Sequence, residues 1–413
     1  MLRNYLKIAM KVLLRRKFFT FISLFAVSFA LMVLMVATAM LDHVFAPRQP
    51  ETRADRTLVV MNMCMSGPRG SRTGGAGYGF LDRYVRGIPG AELVSVSSLP
   101  SVFSGYVNGE RVRSFLKRTD GEFWRILDFE FAEGGPFTVE EDAQASHVAV
   151  INEATRDRYF GGAPAVGRTL EVDGQSFRVV GVVRNVPITR PLPFADVWIP
   201  INTTKGDAFR REFVGDFMAL ILAPEKSRIP AIQGEFEARL ATVQLPDPKN
   251  FTKLSGGAET FFETISRFLF SPRLGESHPT RLWVLIVGGA LLFMTFPALN
   301  LVNINLSRIL ERASEIGVRK AFGATSRTLV GQFVVENVFL TLVGGLLGWV
   351  PSAAALGALN RSGLIPYAKF DLNLRVLVYG VATAVFFGVL SGVYPAWRMS
   401  RLHPVEALRG RSE

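Results

Sequence analysis

Four long apolar stretches stand out along the chain. They cover residues 18–41, 282–307, 328–360 and 376–397, and Glu336 is the one charged residue within them. An α-helix of about 20 apolar residues crosses the hydrocarbon core of a bilayer. The first stretch is too long for a cleaved signal peptide, and no small-x-small cleavage pattern follows it. The pattern predicts four transmembrane helices.

The region between the first two apolar stretches, residues 42–281, predicts a large α+β domain outside the cytoplasm. Alternating and short apolar runs predict strands at 56–65, 91–99, 217–223 and 251–254, and helices at 80–88, 227–243 and 259–270. We expect the first and last of these elements to form one split subdomain. The residues between them, about 100–213, would be an insertion that is mostly β.

Turn residues support the β character of this insertion. Asn108-Gly109 is predicted to link strands at 104–107 and 111–117, and Asp173-Gly174 to link strands at 169–172 and 176–183. A further strand is predicted at 147–151, followed by a helix through Tyr159. Residues 66–79 are rich in Gly and Arg, and we interpret them as a flexible loop.

Charge predicts the orientation. The formal net charge is +12, yet residues 42–281 contain 29 basic and 29 acidic residues. The excess lies beside the apolar stretches, at residues 1–17, 308–327 and 398–413, which predicts that these segments face the cytoplasm. The domain at 42–281 and the short loop at 361–375 would then lie outside. Nucleic-acid binding is not indicated. Residues 1–17, with Arg3, Lys7, Lys11 and Arg15 at four-residue spacing, predict an amphipathic helix on the inner membrane surface.

Small residues recur at four-residue spacing in the last two apolar stretches. Such rows let membrane helices approach closely. The predicted packing positions are Gly344, Gly348, Gly380, Ala384, Gly388 and Gly392. Pro297 is expected to kink the second helix. Glu336 lies near a cytoplasmic end, where a capping or ion-pair role is expected.

No residue pattern indicates catalysis or a metal site. Cys64 is the single cysteine, and the four histidines (His43, His147, His278 and His403) are far apart in the sequence. The sequence KLSGGAE at 253–259 resembles an ABC ATPase signature, but it lies on the predicted outer side. No G-x-x-x-x-G-K-[ST] phosphate loop is present.

The segment 311–324, ERASEIGVRKAFGA, is charged, predicted to be helical, and tied at both ends to predicted membrane helices. The residues expected to contact a cytoplasmic partner are Glu311, Arg312, Glu315, Ile316, Gly317, Val318, Arg319, Lys320, Phe322 and Gly323. A second cytoplasmic motif lies near the C-terminus. The residues predicted for this motif are Tyr394, Pro395, Arg398, Arg401, Pro404 and Glu406. A solvated segment that only sets the topology is the alternative for both.

Three segments carry a family resemblance. ERASEIGVRKAFGA resembles the cytoplasmic loop of MacB/FtsX-type ABC permeases, and YPAWRMSRLHPVEALRG at 394–410 resembles their C-terminal end. HVAVINEATRDRYFGGAPAVGRTLEVDGQSFRVVGVV at 147–183 is similar to their periplasmic core domain. Together with the four predicted helices, the resemblance covers most of the chain.

The resemblance implies a non-catalytic permease subunit in a bacterial inner membrane. It implies mechanotransmission, in which motion of a separate ABC ATPase reaches the periplasmic domain and drives export or extraction of a drug, peptide or lipoprotein. ATP and Mg²⁺ would bind the ATPase, and no cofactor would bind this chain. Further implied partners are membrane lipid, a second identical or different permease, and a periplasmic adaptor with an outer-membrane channel. The alternative function is an FtsX-like coupler that activates a periplasmic cell-wall hydrolase.

Overall fold

The computed structural model describes residues 17–311 and 325–400, except 108, 272, 273, 275 and 373, and also Val318 and Phe322. The chain divides into two compact units. The first contains the chain up to His43, Trp283–Leu364 and the chain from Phe370. The second contains Val44–Leu282 and the short loop Ile365–Lys369. The predicted helix at 1–17 and the residues from 401 onward lie outside the described residues.

Ten α-helices lie within the described residues. In chain order they are α1 (Lys17–Phe45), α2 (Tyr78–Phe80), α3 (Phe123–Ile126), α4 (Val139–Ala143), α5 (Glu153–Phe160), α6 (Ile229–Ala241), α7 (Phe261–Phe270), α8 (Pro279–Glu311), α9 (Ser326–Ser362) and α10 (Leu374–Ser400).

Fifteen strands, also counted over the described residues, all lie in the second unit. They are β1 (Thr57–Val60), β2 (Asn62–Gly67), β3 (Gly70–Ala76), β4 (Leu93–Ser98), β5 (Ser101–Val107), β6 (Glu110–Thr119), β7 (Phe131–Gly134), β8 (Val148–Asn152), β9 (Thr169–Val172), β10 (Gln175–Val183), β11 (Val197–Pro200), β12 (Val214–Gly215), β13 (Phe217–Leu222), β14 (Lys253–Gly256) and β15 (Glu259–Thr260).

The first unit is built from α1, α8, α9 and α10. Three helical stretches are long and apolar enough to cross a membrane, among the residues that the structure describes: Thr20–Phe45, Pro279–Phe296 and Val334–Ser362. The apolar part of α10 covers Leu374–Leu390 and is shorter. Membrane-type helices at both ends of the chain are therefore present, and the number four stays a prediction. Helix α8 continues without a break past Pro297.

The second unit is organised around β13, a strand of six buried residues, FMALIL. It pairs antiparallel with β1 on one side, from Leu222 with Thr57 to Ala219 with Val60. On the other side β13 pairs antiparallel with β4. The main path of the sheet runs β14-β2-β3-β13-β4-β6-β11-β8-β10-β7. The backbone polar groups of β13 are therefore satisfied although the strand is buried.

Both faces of the β1–β13 pair are covered. Leu58, Val60, Ala219 and Ile221 point into one core, which α6 covers with Ile232 and Phe236. The alternate residues of the two strands enter a second core, which contains Trp198. Successive side chains of a strand point to opposite faces. A continuous apolar run is the pattern expected for a strand buried on both faces.

Both predicted hairpins are confirmed. Strand β5 pairs with β6 from Val107 opposite Glu110 to Ser101 opposite Leu116. Strand β9 pairs with β10, and the turn residues Asp173 and Gly174 both have positive φ values, 55° and 70°. Two consecutive residues in this region of φ are what a tight type I′ turn requires. These turns were predictable because their chemistry is local.

The interpretation of residues 66–79 as a flexible loop is wrong. They form most of the β2–β3 hairpin and the start of α2. A Cβ atom on Gly75 would lie 2.7 Å from the carbonyl oxygen of Gly215, and one on Gly77 would lie 2.1 Å from that of Glu212. The glycines permit close approach of the backbone at 210–215 rather than flexibility.

The strands of the predicted insertion extend the same sheet. The path passes from β4 to β6 through the single pair Ser97 and Thr119. Beyond it, β6 with β11 and β8 with β10 are parallel pairs. The boundaries of a split subdomain and its insertion stay predictions, while the sheet itself is continuous from β14 to β7.

Lys117 lies on β6 within this sheet, and its side chain is fully buried. Its ammonium group donates to the carbonyl oxygen of Pro191 at 3.2 Å and to that of Leu192. Burial lowers the pKa of Lys117 to about 7, because the charged form loses its hydration, and the carboxylate of Glu51 opposes this shift.

The stability of the protein should therefore depend on the protonation of Lys117. Its pKa is about 7 when folded and about 10.4 in an unfolded chain. Between these values the unfolded chain binds more protons, so this group makes the free energy of unfolding rise with pH. We expect the melting temperature of the wild type to increase relative to that of Lys117→Met between about pH 7 and about pH 10.

The measurement is thermal unfolding of the full-length protein, followed by tryptophan fluorescence at several pH values. The solvent-exposed Lys226 supplies the control, because Lys226→Met should follow the wild type at every pH. Parallel curves for the wild type and Lys117→Met would show that the pKa of Lys117 is not lowered.

Candidate functional site

The segment between α8 and α9 is the predicted contact site for a cytoplasmic partner. Within 312–324 the structure describes Val318 and Phe322, and the backbone N–H of Phe322 donates to the carbonyl oxygen of Val318 at 3.0 Å. This hydrogen bond closes one helical turn and places the two side chains on the same side. Val318 is 45% exposed and Phe322 is 89% exposed.

Two neighbouring apolar side chains that face solvent are typical of a surface that a partner covers. The other residues predicted for this site have side chains outside the described residues. They are Glu311, Arg312, Glu315, Ile316, Gly317, Arg319, Lys320 and Gly323. After the segment, Thr325 caps α9 by accepting a hydrogen bond from the backbone N–H of Thr328 at 3.3 Å.

The second predicted cytoplasmic motif is described only in part. The backbone of α10 is helical through Ser400, so Tyr394, Pro395 and Arg398 lie on this helix. The side chains of these three residues, and all of Arg401, Pro404 and Glu406, lie outside the described residues. A docking role for this motif stays a prediction.

The predicted small residues of α9 lie against α1. A Cβ atom on Gly344 would lie 2.6 Å from Cγ1 of Val27, and one on Gly348 would lie 2.9 Å from the carbonyl oxygen of Ser28. The hydroxyl of Ser28 donates to the carbonyl oxygen of Gly344 at 2.9 Å. Such close approach is possible only where a side chain is absent.

The predicted small residues of α10 face two different helices. A Cβ atom on Gly380 would lie 3.2 Å from the side chain of Met35 on α1. One on Gly388 would lie 2.3 Å from Oγ1 of Thr341 and 3.2 Å from Cα of Val338, both on α9. The environments of Ala384 and Gly392 lie outside the described residues.

Polar contacts add specificity to the packing of the first unit. Arg375 at the start of α10 pairs with Asp42 near the end of α1 at 2.9 Å. Asn360 of α9 donates to the carbonyl oxygen of Phe370 at 3.0 Å and accepts from its backbone N–H at 2.9 Å. Glu336 accepts a hydrogen bond from Gln332, one turn away on α9, at 3.1 Å.

Sequence reasoning missed a buried polar cluster in the second unit. Arg190, Asp196 and Tyr367 each contact residues at least 40 positions away in the chain, namely Glu51, Asn152 and Asp196 respectively. No local pattern marks such partners. The nearest signal was the run PITRPLPFAD at 187–196, in which three prolines indicate a rigid loop.

Comparison with known proteins gives the family. The model named MacB-like periplasmic core domain matches residues 20–239, and the model named FtsX-like permease C-terminal matches residues 284–404. The chain belongs to the MacB/FtsX family of ABC transporter permeases. It is an integral membrane permease with a large α/β extracellular domain, and this family membership implies an ABC ATPase partner.

Individual relatives are distant. This permease is 24% identical over 326 residues to the uncharacterized ABC transporter permease YknZ of Bacillus subtilis, covering 79% of this chain and 77% of YknZ. It is 27% identical over 274 residues to the macrolide export ATP-binding/permease protein MacB of Bdellovibrio bacteriovorus. That match covers 66% of this chain but only 40% of the MacB relative.

A solved structure of the extracellular domain of YknZ from Gram-positive bacteria is also similar. The match has 16% identity and a TM-score of 0.35, and it covers 43% of this permease and 90% of the solved chain.

The contact of Gly388 with α9 predicts the effect of a larger side chain. Gly388→Leu should force α10 away from Thr341 and Val338, because a Cβ atom already overlaps Oγ1 of Thr341. Overpacking of this kind typically costs about 1–3 kcal/mol. We expect a lower yield of monodisperse protein in detergent and a lower melting temperature.

Gly289→Leu is the matched control. Gly289 lies in α8, and nothing in the described structure lies within 4 Å of a Cβ atom built there. Size-exclusion chromatography and thermal unfolding measure both variants. Equal behaviour of the two variants would show that close packing at Gly388 is not required.

Proposed function

We propose that this chain is the permease subunit of an ATP-driven export or extraction system. In this proposal four membrane-spanning helices carry the motion of a cytoplasmic ABC ATPase to the extracellular domain. The substrate would be a drug, peptide or lipoprotein taken from the membrane or the periplasm. The termini and the segment 308–327 would face the cytoplasm, in agreement with their excess of basic residues.

The exposed pair Val318 and Phe322 is the observation that carries this proposal. Both residues lie in the segment that joins α8 to α9, so a protein bound there would be attached to two membrane helices at once. Burial of an exposed Phe side chain contributes about 1.5–3 kcal/mol to association. The charges of the same segment would set the orientation of the partner.

Energy would come from the partner. The 413-residue sequence contains no phosphate-loop motif. The MacB relative is named as an ATP-binding/permease protein, and this chain covers only 40% of it. We propose that ATP and Mg²⁺ bind the ABC ATPase, and that two permeases, identical or different, complete the transporter. An adaptor and an outer-membrane channel would extend it through the periplasm.

Replacement of Phe322 by Ala should weaken binding of the ATPase. We expect roughly tenfold weaker binding, equivalent to about 1.4 kcal/mol, since most of the apolar contact would be lost. A second variant, Arg319→Glu, reverses one charge of the same segment. We expect its ATPase partner to hydrolyse ATP without a matching response of the permease. The measurements are co-purification of the ATPase and the ATPase rate of the reconstituted complex.

Leu364→Ala is the matched control for Phe322→Ala. Leu364 is also strongly exposed, at 76%, but it lies beyond the opposite end of α9. Unchanged ATPase binding by both Phe322→Ala and Arg319→Glu would overturn the assignment of this segment as the docking site.

The two candidate functions differ in the partner of the extracellular domain. Cross-linking of the full-length permease in its native membrane, followed by mass spectrometry, should recover an adaptor or a channel protein if the chain exports material. Recovery of a cell-wall hydrolase would instead favour the FtsX-like coupling function.

A further inference from the structure

Residues 187–196, PITRPLPFAD, connect β10 to β11 in the second unit, and we call this segment the arch. Its second half is buried. Leu192, Phe194, Ala195 and Asp196 are each at most 5% exposed. The arch is held to the sheet at several points. Lys117 of β6 donates to its carbonyl oxygens at Pro191 and Leu192, and the indole N–H of Trp198 donates to that of Pro193 at 3.2 Å. The arch is therefore attached to the sheet through β6 and β11.

The arch is hydrogen-bonded to the chain directly after α1. Arg190 donates to Oε2 of Glu51 at 2.6 Å and to the carbonyl oxygen of Ala46 at 2.7 Å. Ala46 is the first residue after the end of α1 at Phe45. Arg190 is 3% exposed, and burial raises the pKa of Glu51 while the guanidinium of Arg190 opposes that rise. Two different nitrogens of the buried guanidinium group thus each donate to one acceptor, and this fixes the position of the chain after α1.

The other end of the arch, at Asp196, is hydrogen-bonded to the loop 365–369. The hydroxyl of Tyr367 donates to Oδ1 of Asp196 at 3.3 Å. Asp196 cannot rotate freely, since it also accepts from the side-chain amide of Asn152 at 3.0 Å and from the backbone N–H of Phe115 at 2.8 Å. Burial and the charge of Asp196 raise the pKa of Tyr367, so its hydroxyl remains a donor.

We propose that the arch is the junction at which the extracellular sheet receives movement from two sources, the exit of α1 and the loop 365–369. Arg190 and Tyr367 are positioning residues in this junction. Without Tyr367 the loop 365–369 loses its hydrogen bond to Asp196, and without Arg190 the sheet loses its buried link to Ala46. This inference rests on the proposed function, in which motion of the ATPase reaches the extracellular domain.

Two Tyr-to-Phe variants test the Tyr367 link. Tyr367→Phe removes one hydroxyl and keeps the ring. Tyr159→Phe is the matched control, because the hydroxyl of Tyr159 is buried in the same unit and has no hydrogen-bond partner among the described residues. Each full-length permease is reconstituted with its ABC ATPase in lipid nanodiscs. Hydrogen–deuterium exchange is measured with and without a non-hydrolysable ATP analogue.

The expected result is a nucleotide-dependent change of exchange in the arch and β6 of the wild type. Tyr367→Phe should reduce this change by roughly half or more, while the change at residues 325–333 persists. Tyr159→Phe should match the wild type. A merely structural role of Tyr367 would alter exchange equally with and without nucleotide, leaving the difference intact, and this result overturns the inference.

The Arg190 link is tested by replacing both members of the buried pair, Arg190→Met with Glu51→Met. Apolar residues of similar size usually preserve folding at such sites, and an unchanged melting temperature verifies it here. As in Tyr367→Phe, we expect the nucleotide-dependent change of hydrogen–deuterium exchange in the arch to be smaller than in the wild type. A response equal to that of the wild type overturns this half of the junction.

The response of the wild type distinguishes a failure of the proposed function from a failure of the inference about the arch. A nucleotide response at 325–333 with none in the extracellular domain overturns the proposed function, and the inference with it. A full response in the wild type that persists in Tyr367→Phe and in the double variant overturns the arch alone.

Discussion

The pairing of β13 between β1 and β4 is the constraint on which the extracellular domain depends. β1 begins twelve residues after the end of α1, and it also pairs with β15, directly before α7. Hydrogen bonds of the sheet therefore fix the segment that follows α1 beside the segment that leads to α8. Because β13 is buried on both faces, the pairing cannot shift by one residue without exchanging two complete sets of core side chains.

Contacts at the end of α1 strengthen this arrangement. The ring of Phe45 packs against Phe261 and Phe262 at the start of α7, with ring centroids 6.1 and 5.2 Å apart. Helix α7 begins with a capping box in which Thr260 and Glu263 satisfy each other's backbone N–H groups. Two chain segments that lead to different membrane helices thus share one rigid corner of the domain.

The buried charges of the domain serve geometry more than stability. Removal of Lys117, Arg190 and Glu51 from water is costly, and apolar residues would fill the same space at lower cost. Lys117 and Arg190, however, donate hydrogen bonds to carbonyl groups of loops that contain proline and lie outside any strand ladder. Such contacts fix the position of these loops, which the hydrogen bonds of the sheet alone would not fix. The transmission of movement that we propose would require this definition.

Much of the molecule follows from local pattern. Apolar length predicted the membrane-type helices, short apolar runs predicted β4, β8 and β13, and Asp173-Gly174 predicted its hairpin, since each depends on neighbouring residues alone. The local sequence does not show why glycine is needed at 74–79. The cause is a segment more than 130 residues away, whose carbonyl groups approach too closely for a side chain to fit.

The sequence by itself determined the class of protein, the candidate docking segment and the main elements. Only the tertiary structure decided that Gly344 and Gly348 face α1 rather than α10, and that Arg190 and Tyr367 meet at one arch. Spacing along a helix shows which residues share a face, but the partner of that face depends on how distant segments pack together.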